Sequence, residues 1–264
     1  MSAAPAALST TIPPPMHPLS AAAPTRAFYT LTHVLGIPLL LACAAWLAAA
    51  SGLDMRIARA LYDPALDGFP LRAHRWLELF GHRLALALPV GMALIAVALA
   101  AAGSRIAAWR PLRRPALALA LTCIAGQVLV HVLKHHTTMP RPYDLATLGG
   151  NTPYPGFWWT WARAYAGGAL PSGHAGAGYS MLALYFAGWS RQRRALRWGG
   201  LALGLAAGLG FSAVRILQGA HFLSQTLYSA TLLWLLAAVF FYPLIVAPPR
   251  QAATDAPRTH PHPG

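Results

Sequence analysis

Apolar residues gather into six runs, at about 29–52, 83–102, 115–133, 173–190, 199–218 and 222–247, with short polar stretches between them. A helix needs roughly 20 apolar residues to cross a bilayer. Each run meets that length or comes close, so the pattern predicts an all-α bundle of six transmembrane helices over residues 28–247. The run at 173–190 is the weakest, since it opens on Gly173 and His174. Residues 1–27 and 248–264 are rich in Pro and small or polar residues, lack a periodic apolar pattern, and read as disordered tails. No basic stretch in the first tail leads into a short apolar core, so it does not read as a signal peptide.

The connections carry their own pattern. The segment 53–82 mixes Met55, Ile57, Leu61, Leu71, Trp76, Leu77 and Phe80 with charges, and reads as an amphipathic stretch along the membrane interface. The connection 134–172 is the longest, and carries Tyr154, Phe157, Trp158, Trp159, Trp161 and Tyr165. These fit an aromatic interface belt, or a wall that guides a lipid tail. Gly200, Gly204 and Gly208 form a ladder of small residues that lets helix backbones approach closely.

Composition strengthens the membrane reading. Of 264 residues, 56% are hydrophobic and 10% charged, against roughly 25% charged in soluble domains. The net charge of +14 would ordinarily suggest nucleic acid. Here the arginines stand in short clusters between apolar runs, so topology explains them better and nucleic acid is not an expected partner. Loop 103–114 holds Arg105, Arg110, Arg113 and Arg114, and loop 191–198 holds Arg191, Arg193, Arg194 and Arg197. Basic loops stay in the cytoplasm, which puts both tails inside. Cys43 and Cys123 fall within apolar runs and read as small buried hydrophobes, with no disulfide framework.

Three segments then lie at the non-cytoplasmic surface: KHHTTMPRP from Lys134 to Pro142, PSGH from Pro171 to His174, and RILQGAHFLSQ from Arg215 to Gln225. Their chemistry suits a phosphate. A phosphoryl group in transfer needs several fixed positive donors, and Lys134, Arg141 and Arg215 supply three cations. Lys134 is the only lysine of the chain. Pro171-Ser172 reads as a helix start with Ser172 as N-cap, where free N–H groups favour an anion. Imidazole titrates near neutrality, so His174 and His221 are candidates for nucleophile and acid. Gln225 lies one helical turn beyond His221 on the same face. No metal-ligand spacing is present among the histidines, including His135 and His136.

Together, Lys134/Arg141/Pro142, then Pro171/Ser172/Gly173/His174, then Arg215/His221 resemble the three-part signature of the type 2 phosphatidic acid phosphatase (PAP2) superfamily. The third part departs from the family pattern S-R-x5-H-x3-D. Ser212 stands three residues before Arg215 instead of beside it, and Gln225 takes the place of the aspartate. The resemblance implies a membrane lipid-phosphate phosphatase with His221 as nucleophile, forming a phosphohistidine, and His174 as the acid for the leaving group. Lys134, Arg141, Ser172, Gly173 and Arg215 would hold the phosphate, and Gln225 would orient His221. Neither a metal nor another cofactor is implied. The expected setting is a bacterial inner membrane, with the site facing the periplasm and a lipid phosphate or diphosphate as substrate. The segment GAHFLS is similar to lipid A phosphatase-like members. A phosphotransferase using the same intermediate, and a degenerate lipid-binding member favoured by Gln225, remain alternatives.

Overall fold

The computed structural model describes residues 24–79, 81, 85–155 and 168–246. The expected tails and the aromatic stretch from Phe157 to Tyr165 lie largely outside these residues. In chain order the helices are α1 (Arg26–Ala50), α2 (Leu53–Leu61), α3 (Arg75–Glu78), α4 (Ala85–Arg105), α5 (Ala107–Lys134), α6 (Gly173–Tyr179), α7 (Ala183–Ser190), α8 (Arg194–Leu217) and α9 (Leu223–Ile245). No β-strand occurs among the described residues. Five of the helices, α1, α4, α5, α8 and α9, are long and apolar enough to cross a membrane, consistent with a multi-pass membrane protein. Their outward faces carry exposed Leu40, Trp46, Leu94, Ile95, Ile124 and Leu209, the surface expected of helices in lipid.

The sixth predicted run differs. It is helical from Gly173 to Ser190, but broken by a 3-10 turn at Ser180–Leu182 into α6 and α7. It is also the most enclosed element: Ala175, Ala177, Ala183 and Phe186 have no exposed surface. α6 packs against α4, α5, α8 and α9. A helix walled in by protein has no need of a lipid-facing apolar side, which explains why this run reads weakest in the sequence.

The glycine ladder explains how the central helix fits. A Cβ on Gly200 would fall 2.6 Å from the Leu184 carbonyl carbon, one on Gly204 2.7 Å from the Leu182 nitrogen, and one on Gly208 2.1 Å from the Tyr179 ring. Only helices without side chains at these positions can lie so close. The expected close packing is present, and its partner is the α6–α7 segment.

Segment 53–79 does not simply lie flat along an interface. Ala58 and Phe69 form a small core with Leu145, Leu148 and Phe222, flanked by Met55 and Leu61. The apolar side of α2 thus faces the protein and closes one end of the bundle. Cys43 also departs from expectation: it is exposed on α1, while Cys123 is buried, and both are free. An apolar run does not distinguish a lipid-facing from a core position.

Candidate active site

Helix ends bring the three segments together. Lys134 is the last residue of α5, and Arg141 precedes the 3-10 turn Pro142–Asp144. His174 is in the first turn of α6, and Arg215 in the last turn of α8. His221 sits in the tight connection before α9, whose first turn carries Gln225. Lys134 lies within electrostatic reach of Arg141 and Arg215, and His221 within reach of Arg215, Lys134 and His174. All the residues expected at the site therefore lie at one end of the bundle.

Gln225 fixes the state of His221. Its Oε1 accepts from the Phe222 backbone N–H at 3.1 Å, and its Nε2 donates to the Pro140 carbonyl at 3.1 Å. Both backbone partners have a single possible role, so the amide has one orientation. The same Oε1 stands 3.0 Å from His221 Nδ1. An amide oxygen only accepts, so Nδ1 must carry the proton. The lone pair is left on Nε2. His221 is almost fully buried. Burial holds its pKa well below the ordinary histidine value; the Arg215, Lys134 and His174 charges push the same way, while the Gln225 hydrogen bond opposes them. Burial thus favours the neutral ring, whose lone pair is on Nε2.

The elements expected to bind phosphate are built from caps and glycines. Ser172 is the N-cap of α6, as its sequence position predicts, and its side chain accepts from Ala175 N. Its backbone is tied to α9: Ser172 N donates to the Gln225 carbonyl at 3.3 Å, and Ser229 Oγ donates to the Ser172 carbonyl at 2.9 Å. At Gly173 a Cβ would meet only Val130, at 3.9 Å. Packing does not demand a glycine there, and the missing side chain leaves room beside the helix start. Gly219 is different. It has φ +64°, and a Cβ would fall 2.4 Å from the Phe69 ring. Its carbonyl accepts from Tyr143 N at 3.0 Å, which joins the Arg141 segment to the turn between Arg215 and His221.

Several contributors were invisible in the sequence. Arg215 Nη1 donates to Gln218 Oε1 at 2.8 Å, and Gln218 Nε2 reaches the Arg72 carbonyl at 3.4 Å. Arg215 Nε is buried with no acceptor among the described residues. Asp54, on α2, accepts from Ser224 N at 3.0 Å and from Ser224 Oγ. It places a buried carboxylate on the first turn of α9, where the helix dipole favours negative charge. Burial raises its pKa, and the Ser224 hydrogen bonds oppose that rise. The only signal for Gln218 is its spacing from Arg215. Asp54 gives none, being 170 residues away from its partner. Ser212 lies outside the site: its hydroxyl donates to the Gly208 carbonyl at 2.6 Å. Asp144 pairs with Arg141 at 3.6 Å, which leaves Gln225 as the partner of His221.

Two cavities adjoin the cluster. One, of about 500 Å³, has Lys134, Gly173 and His174 on its wall beside Leu86, Val128 and Val130. Leu86 and Val128 are exposed on the outer faces of α4 and α5, so this cavity meets the lipid side. The other, of about 310 Å³, is apolar and lies between Leu133, Pro171, Tyr228 and Leu232. Among the described residues, no group of three or more His, Cys, Asp or Glu is placed to hold a metal ion.

No curated protein and no solved structure matches the chain. The family comparison is positive: residues 115–245, which contain all three motif segments and the helices that carry them, match the PAP2 superfamily, whose members are generally phosphatases.

Proposed function

We propose that the protein is a PAP2-type membrane phosphatase that removes a phosphate from a lipid by way of a phosphohistidine. The observation that carries this reading is His221 held at Nδ1 by Gln225, which leaves the lone pair on Nε2, buried within reach of Arg215, Lys134 and His174. In the proposed reaction Nε2 attacks phosphorus and forms a P–N bond as the P–O bond to the lipid breaks. The protonated His174 gives its proton to the departing lipid oxygen. Water then attacks the phosphohistidine while His174 takes a proton from it, and phosphate leaves with His221 restored. The three cations bind the charge on the phosphoryl oxygens, and Ser172 and Gly173 present the start of α6.

The lipid tail would lie against Val128 and Val130 in the cavity that meets the lipid side, with its phosphate at Lys134. α6 and α7 together make the sixth crossing. The arginine-rich ends of α5 and α8 then face the cytoplasm, and the site faces the periplasm. The test is a panel of lipid monophosphates and diphosphates offered to the purified protein. Inorganic phosphate should be released, and acid-labile label from a [32P]-lipid should be trapped on wild type and be absent from His221→Ala. Turnover with label on another residue would overturn the assignment.

A further inference from the structure

The end of the bundle opposite His174 and His221 is strongly basic, and the catalytic reading does not use it. Arg110, Arg113 and Arg114 open α5; Arg191, Arg193, Arg194 and Arg197 occupy the turn from α7 into α8. The acids among the described residues, Asp54, Asp63, Asp67, Glu78 and Asp144, all lie at the histidine end. The rest of the sequence adds one acid, Asp255, against Arg83, Arg163, Arg250 and Arg258. Among the described residues, no acid supplies negative charge to this end.

One arginine is held in place there. The Arg197 guanidinium lies 4.0 Å from the Trp189 ring centroid and 5.1 Å from that of Trp198. Its Nη2 donates to Tyr185 Oη at 2.7 Å. Stacking and this bond fix the plane of the cation. Its Nε is buried and has no acceptor among the described residues. Arg197 lines a cavity of about 370 Å³ with Arg193, Arg194, Gln192 and the two tryptophans. A neighbouring cavity of about 610 Å³ is lined by Arg110, Arg113, Arg114 and Ser104. Arg191 Nη1 donates to the Pro111 carbonyl at 3.2 Å and bridges the two arginine groups.

We infer that these cavities form a second anion site, for the phosphate headgroup of an anionic phospholipid. Lipid is favoured over a free anion by depth. Trp109 and Trp198 are 43% and 52% exposed at this end, and exposed tryptophans on a bundle of this kind mark the headgroup level. Basic pockets between helix ends at that level suit anionic headgroups. The site is separate from the catalytic one: Arg197 and Arg215 stand at opposite ends of α8, roughly 27 Å apart along its axis.

Thermal unfolding of the full chain in a neutral detergent tests this, with phosphatidylglycerol, phosphatidylcholine or inorganic phosphate added. Phosphatidylglycerol should raise Tm by roughly 3–6 °C, the size expected of a ligand near saturation, phosphatidylcholine should leave it unchanged, and any shift with inorganic phosphate, which the catalytic cations can bind, should be the same in wild type and in Arg193→Gln/Arg194→Gln. Arg193→Gln/Arg194→Gln alters only exposed side chains and should lose most of the shift. Arg197→Gln should lose all of it, even from a lower starting Tm. An equal shift with phosphatidylcholine, or an undiminished shift in the double variant, overturns the site. A shift reproduced by inorganic phosphate and lost in the double variant overturns the lipid as its occupant.

Discussion

The Oε1 of Gln225 accepts from two donors at once, the Phe222 backbone N–H and the Nδ1–H of His221. One atom closes the first turn of α9 and sets the tautomer of the proposed nucleophile. A carboxylate at this position would do both and add negative charge to stabilise the imidazolium-like state formed during attack. Replacing such a carboxylate by an amide costs about 10⁴ in rate in the serine-protease triad, where the tautomer is also wrong. Here the tautomer is right, because Pro140 holds the NH2 group away from the ring. Gln225→Asp should therefore keep or raise kcat, and Gln225→Ala should lower it by roughly 10²-fold. Steady-state kinetics decides, and an alanine variant equal to wild type would remove Gln225 from the mechanism.

The same contact predicts a pH effect. Burial, assisted by Arg215, depresses the His221 pKa. The neutral, attacking form thus persists as pH falls below the ordinary histidine value of about 6.5. A carboxylate at position 225 favours the charged ring and should move the acid limb of kcat/KM to higher pH. Comparing wild type with Gln225→Asp on one substrate cancels the titration of the substrate itself. An unmoved acid limb would mean that His221 does not set it. For stability the sign follows from the depressed pKa: the folded protein binds this proton more weakly than the unfolded chain. Its stability falls as pH drops from about 6.5 towards the lower folded value.

The two histidines should separate by leaving group. His221→Ala should abolish turnover of any substrate. His174→Ala should slow lipid phosphates strongly but retain much more activity on an aryl phosphate whose leaving group needs no proton. Equal rescue of both variants would refute the division of roles.

The two glycines beside the motifs should fail differently. Gly219→Ala puts a Cβ into the Phe69 ring at positive φ, so it should lower Tm and activity together. Gly173→Ala meets no such obstacle and should leave Tm within about 1 °C while raising KM for the lipid. A Gly173→Ala enzyme with normal KM would show that the space beside α6 is not occupied by substrate.

Asp54→Ala removes two acceptors from the start of α9. Loss of a cap costs about 0.5–2 kcal/mol, and buried partners left unpaired push the value to the upper end. Tm in detergent should drop by several degrees, with a smaller loss of kcat through displaced His221. A variant with unchanged Tm would assign α9 another anchor.

What the sequence disclosed was local. The cap at Ser172 and the turn from His221 to Gln225 act within a few residues of themselves, the glycine ladder is a local spacing whose partner helix the spacing does not name, and each stands where its spacing puts it. The five long helices match the apolar runs, because one-dimensional apolarity is what a bilayer selects; α5 and α8 start eight and five residues before their runs, in arginine-rich turns that apolarity does not mark. The central α6–α7 helix was legible only faintly, since protein contact replaces lipid contact around it. Asp54 was beyond reach, because a carboxylate on α2 meets Ser224 only after the whole chain has folded. The donor role of Gln225 was also hidden: spacing finds its neighbour His221, but the Pro140 carbonyl that orients its amide comes from another segment.

The ladder of Gly200, Gly204 and Gly208 continues, about two helical turns further on, to Arg215. Since the glycines lock the rotation of α8 against the central helix, the number of residues from Gly208 to Arg215 acts as a ruler. Adding or removing one residue there would swing the guanidinium by about 100° around the helix axis, away from Lys134 and His221. Point substitutions along this stretch can be absorbed by lipid, but a change of length cannot, so natural variation in this protein should be rich in exchanges of outward-facing residues and empty of insertions between ladder and arginine.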